Sequence, residues 1–146
     1  GIRPGTENLP YAVGLGLAAE QGARGMRAAA ANAAALNAQL RAGLAALPGI
    51  TLHSPAGAVP EVLNFSTNCV NSQTFISYLN DRQIYVSGGS ACDKGEPSHT
   101  LQAMGCDARA VATALRVSFC AGNDEGDVAA LLAALKDGLA ELQHIA

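Results

Sequence analysis

Two stripes of large aliphatic residues at helical spacing, one in each half of the chain, limit the fold more than any other feature. Leu36, Leu40, Leu44 and Leu47 recur in steps of four and three, which is one face of a helix. Val128, Leu131, Leu132, Leu135, Leu139 and Leu142 form a second such stripe. Each needs an apolar partner, and the sequence between them offers only short β-compatible segments, at residues 51–53, 62–66, 84–86 and 114–119. The expected fold class is therefore α+β: a short, mostly antiparallel sheet covered by helices.

Local signals mark the ends of these elements. Residues 1–10 read as a loop, punctuated by Pro4-Gly5, and two helices are expected at 11–20 and 24–47, the second stopped by Pro48-Gly49. Ser72 is placed to cap a helix whose Phe75, Ile76 and Leu79 share a face, and Ser98 to cap a short helix through Met104. Asn123 is expected to cap the last helix, with Asp124, Glu125 and Asp127 in the first turn, where the helix dipole favours acids. There is no internal repeat and no low-complexity linker.

Composition narrows the function classes. The 146 residues are 49% hydrophobic, enough for one core, but only 14% are charged, so small and apolar side chains must cover much of the surface. Such a surface fits either a buried contact with another body or simply a high content of alanine-rich helix. A net charge of −3, with no Trp, three Tyr and three Phe, provides neither a basic footprint nor stacking platforms for nucleic acid. The four cysteines, Cys69, Cys92, Cys106 and Cys120, form no CxxC pair, so neither zinc nor any other metal is expected. A disulfide framework is not expected either, and the reading is cytoplasmic. No apolar run approaches the roughly 18 residues of a membrane span. The chain begins at Gly1, which suggests a piece of something longer.

One stretch stands apart. In "VSGGSACDKGEPSH", residues 86–99, no large apolar side chain lies between Val86 and His99 to anchor the segment. Taken alone, Cys92 is either a passive loop thiol or a nucleophile on a mobile loop (residues 86–98), with Gly88 and Gly89 giving the backbone its freedom. Lys94 favours a thiolate, while Asp93 and Glu96 oppose it. His53 and His144 read as solvated or satisfied side chains, and Cys69, Cys106 and Cys120 as small buried fillers. The glycines of "GLGLAAEQG" sit in a helical pattern without a preceding strand, so they do not make a nucleotide loop.

Three stretches in order, "RPGTEN" (residues 3–8), "SGGSAC" with "PSH" (residues 87–99) and "LRVSF" before an acidic helix start (from Leu115), resemble the C-terminal part of cysteine desulfurases. These are pyridoxal 5′-phosphate enzymes of fold type I in the class V aminotransferase group. "PEVLNFS" (residues 60–66) and "LQAMG" (residues 101–105) are similar to further segments of that family, and the likeness covers essentially the whole chain. It implies the small C-terminal domain of such an enzyme: residues 1–23 as an interdomain, cofactor-site segment with the first helix, and 24–146 as the small domain with the cysteine loop.

The resemblance also implies roles. Cys92 matches the cysteine that takes sulfur from L-cysteine, leaving L-alanine and an enzyme persulfide that serves iron–sulfur cluster or thio-cofactor synthesis. Arg116 matches the arginine that binds the substrate carboxylate; the residue by itself fits an ordinary structural ion pair as well. Thr6 matches the threonine that reaches the cofactor phosphate in the partner subunit of a homodimer. Arg3 and Asn8 are either site-wall or loop-holding residues, and Ser98 and His99 read better as a helix start than as site residues. A sulfur-acceptor or scaffold protein is a further implied partner.

The match has gaps. Residues 92–97 are shorter and more charged than in many relatives, and Cys120-Ala121 stands where many carry Gly-Arg. Neither Lys94 nor Lys136 matches the family's Schiff-base lysine, so a large domain carrying it is expected to be absent and the fragment inactive by itself. Rival readings are a selenocysteine lyase or other class V relative, a non-catalytic partner-binding module, and a thiol-redox module pairing Cys92 with Cys106.

Overall fold

The structure, a computed structural model, describes residues 5–89 and 97–145. Cys92, like Arg3 and Lys94, lies outside the described residues. The element order is α1 (Leu9–Ala45), β1 (Thr51–Leu52), β2 (Val62–Ser66), α2 (Ser72–Asn80), α3 (His99–Ala103), α4 (Ala108–Ala112), β3 (Ala114–Ser118) and α5 (Glu125–Glu141). The sheet is antiparallel throughout, in the order β1-β2-β3.

The first helix is one element rather than the two expected. Asn8 caps it, its side chain accepting from the Tyr11 amide at 3.2 Å, and Pro10 stands in the first turn. The expected break around residues 21–23 holds a single glycine, which costs a helix only about 1 kcal/mol, and its alanine-rich flanks are the best helix formers. A Glu20–Arg24 ion pair one turn apart bridges the same place.

Only the second half of α1 is packed. Leu36, Leu40 and Leu44 are buried against α5 and the sheet, whereas every residue from 9 to 28 is exposed. That outer half is apolar on more than one side, with Tyr11 79% and Leu15 72% exposed. A helix apolar all round is ordinarily enclosed by other structure. Even so, no helix among the described residues is long and apolar enough to cross a membrane.

Strand period two divides the sheet. Leu63 and Phe65 on β2, paired with Val117 and Leu115 on β3, point into the core with Phe75, Leu79, Leu131 and Leu135. Asn64 and Arg116, the pair between them, face the other side. Close helix contacts seal the core: α5 approaches α1 where Gly43 meets Leu132, and α2 where Gly138 meets Phe75 and Tyr78.

Several boundaries differ from expectation. Asn71, not Ser72, caps α2, and Asp124, not Asn123, caps α5 in a capping box with Asp127. Asn123 instead accepts from the Cys120 amide and donates to Asp127. Ser98 caps α3 as expected. The expected strand at 84–86 does not form a ladder; a single bridge, Ser87 to Arg116, takes its place. Ile84 is drawn back to the end of α2 by the hydrogen bond that its amide donates to the Leu79 carbonyl. The short helix α4, capped by Asp107, was not anticipated. Cys120 is exposed rather than a buried filler, and Cys69 and Cys106 are half-buried.

Candidate functional site

The polar face of the sheet forms one wall of a cleft of about 600 Å³. Arg116 and Asn64 rise from β3 and β2, His53 and Ser54 from the end of β1, and Ser98, His99, Thr100, Leu101 and Met104 from the start of α3 and beyond. Gly88 and Gly89 complete the rim. The residues on both sides of the segment that carries Cys92 thus line the same cleft as Arg116.

Arg116 is held by its backbone. Its amide donates to the Ser87 carbonyl at 2.5 Å and its carbonyl accepts from the Ser87 amide at 3.1 Å. The guanidinium is half-buried, and its side-chain contact among the described residues is Nη2 to Ser87 Oγ at 3.5 Å. That distance is at the outer limit of a hydrogen bond, so the fork remains available for an anion. Ser87 Oγ itself donates to the Gly89 carbonyl at 2.7 Å, a local turn just ahead of the cysteine segment.

On the same sheet face, toward β1, a chain of hydrogen bonds has a definite direction. Ser66 Oγ donates to the Ala110 carbonyl at 2.5 Å and therefore accepts from His53 Nε2 at 2.6 Å. His53 Nδ1 is then an acceptor, and the Cys106 thiol at 3.5 Å donates to it. Burial lowers the pKa of this imidazole from 6.5, against the opposing pull of Asp107. His53 is thus satisfied, as one of its expected readings had it, but it also lines the cleft, a position that nothing in its local sequence marks.

The other predicted site residues fall in different places. His99 is exposed at the first position of α3 on the cleft rim, while Thr6 is exposed ahead of α1 and is not among the lining residues. Asn8 serves α1 as its cap. In the sequence, Asn64 stands out only as part of the PEVLNFS stretch. The alternation Leu63-Asn64-Phe65 would have placed it opposite the core face, beside whatever residue β3 offered in register.

The described residues do not fit covalent retention of an aldehyde cofactor. Their one lysine, Lys136, is exposed on α5 and does not line the cleft. Nor do they contain a group of three or more His, Cys, Asp or Glu side chains able to hold a metal ion. What the cleft does provide is an arginine fork in one lining with Gly89 and Ser98, which flank the segment that carries Cys92.

Comparison with known proteins gives the same direction. A cysteine desulfurase of Rhodobacter capsulatus is 36% identical over 148 residues, 99% of this chain and 38% of that protein. The cysteine desulfurase NifS of Azotobacter vinelandii is 30% identical over 149 residues, 99% of this chain and 37% of its own length. Among solved structures, a NifS-like protein superposes with a TM-score of 0.83 at 31% identity, covering 97% of this chain and 36% of that one. The cysteine desulfurase CsdA of Escherichia coli gives 0.74 at 25% identity, covering 97% and 33%. The chain therefore spans little more than a third of the length of these relatives. Residues 1–131 match the family model described as aminotransferase class-V, and the chain belongs to that family.

Proposed function

We propose that this chain is the small, C-terminal domain of a cysteine desulfurase, with Cys92 as the sulfur carrier and Arg116 as the anchor for the substrate carboxylate. In the proposed reaction L-cysteine and the Cys92 thiol give L-alanine and a Cys92 persulfide. The persulfide sulfur then passes to an acceptor protein, for iron–sulfur cluster or thio-cofactor synthesis. The lysine that holds pyridoxal 5′-phosphate covalently lies, in this reading, outside this chain: Lys136 is exposed on α5 away from the cleft, and Lys94 does not match the family's Schiff-base lysine.

The observation that carries the proposal is the shared cleft. Gly88, Gly89, Ser98 and His99, which flank the cysteine segment, line it together with Arg116. Cys92 lies five residue steps beyond Ser87, so covalent geometry alone limits the tether to about 18 Å from the Arg116 strand. A thiol on such a tether has one task at the cleft and another outside it, which an anchored strand residue could not combine. Arg116 supplies a planar, permanently charged fork for a carboxylate, a geometry that lysine does not copy.

Two further parts of the reading concern partners. The exposed apolar half of α1 is enclosed by the remainder of the enzyme, and Thr6 at its start faces the cofactor phosphate in the partner subunit of a homodimer. A persulfide carrier needs a reduced thiol, so the cytoplasm is the compartment proposed.

The experiment is a Cys92→Ser variant of the enzyme that contains this domain, incubated with L-cysteine. The expected result is retained substrate binding, no persulfide by mass spectrometry and loss of sulfur delivery to an acceptor. Undiminished sulfur delivery would leave Cys92 a passive thiol and end the proposal.

A further inference from the structure

Asn64 Oδ1 is buried and has no hydrogen-bond partner, the only such side-chain atom among the described residues. An amide oxygen shut away from water without a donor is destabilising, and native structures hold such groups mainly where something else completes them. This one lines the cleft, and its neighbour across the sheet is Arg116.

The backbone shows how near the two side chains are. Asn64 directs both its backbone groups outward: its amide to Ser54 Oγ at 2.9 Å, and its carbonyl to the His53 and Ser54 amides at 2.9 and 3.3 Å. Arg116 likewise directs both of its own to Ser87. The pair is therefore the non-hydrogen-bonded kind in an antiparallel ladder, in which the Cα atoms approach to about 4.5 Å and the side chains lie closest. An orphaned acceptor thus stands beside a guanidinium with five donors, whose side-chain contact among the described residues is the 3.5 Å approach to Ser87 Oγ.

We propose that Asn64 is a positioning residue for Arg116: its amide oxygen accepts one guanidinium N–H and so aims two others, in parallel, at a ligand carboxylate. The guanidinium then has two seats, Ser87 Oγ at the rim and Asn64 Oδ1 on the wall, and the second fixes the plane of the fork. Of the other polar groups near Asn64, His53 Nε2 already donates to Ser66, and Ser54 Oγ, which accepts from the Asn64 amide, makes no bond to Oδ1. This inference rests on the reading of Arg116 as the carboxylate anchor.

The test uses the enzyme that contains this domain, with Asn64→Ala, Arg116→Lys and the double variant. Asn64→Thr, a β-branched residue suited to the strand, serves if alanine prevents folding. For Asn64→Ala, KM for L-cysteine should rise about tenfold with kcat within about threefold, as for loss of binding shared by ground and transition states. Inhibition by L-alanine should weaken in parallel, while inhibition by L-alaninamide, which has the same skeleton but no carboxylate, should stay within about twofold. Adding Asn64→Ala to Arg116→Lys should bring no further loss, because the residue acts through the arginine. Equal weakening of alanine and alaninamide, or additive losses in the double variant, would overturn the proposal. So would an unaffected Asn64→Ala enzyme where Arg116→Lys raises KM, an outcome that leaves Arg116 as anchor. If Arg116→Lys itself leaves KM unchanged, the anchor reading fails and this inference falls with it.

Discussion

Ser87 and Arg116 exchange both backbone hydrogen bonds, at 3.1 and 2.5 Å, so the segment leading to Cys92 is tied to the strand that carries the arginine. A proline at position 87 removes the amide donor and leaves the Arg116 carbonyl short of a partner. Ser87→Pro is expected to lower stability by about 1–3 kcal/mol. In the proposed enzyme it should also slow persulfide formation on Cys92 about tenfold or more, as misplacement of reacting groups does. Thermal unfolding and single-turnover mass spectrometry measure the two effects. A lowered midpoint with an unchanged persulfide rate would reduce the bridge to a structural tie.

Gly138 brings α5 against α2. A Cβ there would lie 2.8 Å from Phe75 Cε1 and Cζ and 3.0 Å from Tyr78 Cε1, and those rings are themselves packed edge to face with centroids 6.0 Å apart. Gly138→Ala should therefore destabilise by about 1–3 kcal/mol despite alanine's better helix propensity. Gly22→Ala is the contrast: nothing lies within 4 Å of its Cβ position, so only propensity acts, and a gain of about 0.5–1 kcal/mol is expected. Denaturant titration of the pair separates packing from propensity.

These glycines also show what the sequence could and could not disclose. Both stripes, and the strands Val62–Ser66 and Ala114–Ser118, were legible because their periodicity is local. Gly22 invited a break in the first helix, but among good helix formers (Ala19, Glu20, Gln21, Ala23, Arg24) and with no proline it is too weak a signal to end one. The caps moved by one residue because Asn71-Ser72 and Asn123-Asp124 each offer two capping side chains, and only backbone geometry chooses between them. At the site, Arg116 was found through the resemblance. Its neighbour Asn64 depends on strand register, and the His53–Ser66–Cys106 chain joins residues up to 53 positions apart. Such long-range pairings leave no local pattern.

The start of α5 gives a third expectation. Asp124 Oδ1 accepts from the amides of Gly126 and Asp127 at 2.8 and 3.1 Å, and Asp127 Oδ2 accepts in return from the Asp124 amide at 3.2 Å. Removing the cap with Asp124→Ala should cost about 1 kcal/mol, and Asp124→Asn clearly less, because asparagine caps equally well. The Asn123 side chain and the Asp124 amide together hold the Asp127 carboxyl below its ordinary pKa of 3.8. Its contribution is therefore present above pH 3.8 and is lost as pH falls through the folded-state value. In Asp127→Asn, acid unfolding monitored by circular dichroism should lose that part of its pH dependence.

His53 produces pH dependence of the opposite chemical origin. Its imidazole is neutral in the fold: Nε2 donates to Ser66 Oγ, and Nδ1 accepts a hydrogen bond from the Cys106 thiol at 3.5 Å. Burial depresses the pKa below 6.5, with Asp107 opposing, so between the folded-state value and 6.5 the unfolded chain binds more protons. Stability must therefore rise with pH across that window and fall as the solution is acidified through it, the full loss being reached below the folded-state pKa. A proton on Nδ1 also turns an acceptor into a donor facing a thiol, which is a weak acceptor, and so loosens the cleft wall. His53→Asn removes the titration: the variant should be less stable than the parent near pH 7.5, with a flatter stability profile from there down to about pH 5. Denaturant unfolding at intervals across that range reads both features. A profile as steep in His53→Asn as in the parent would assign the acid sensitivity to other groups.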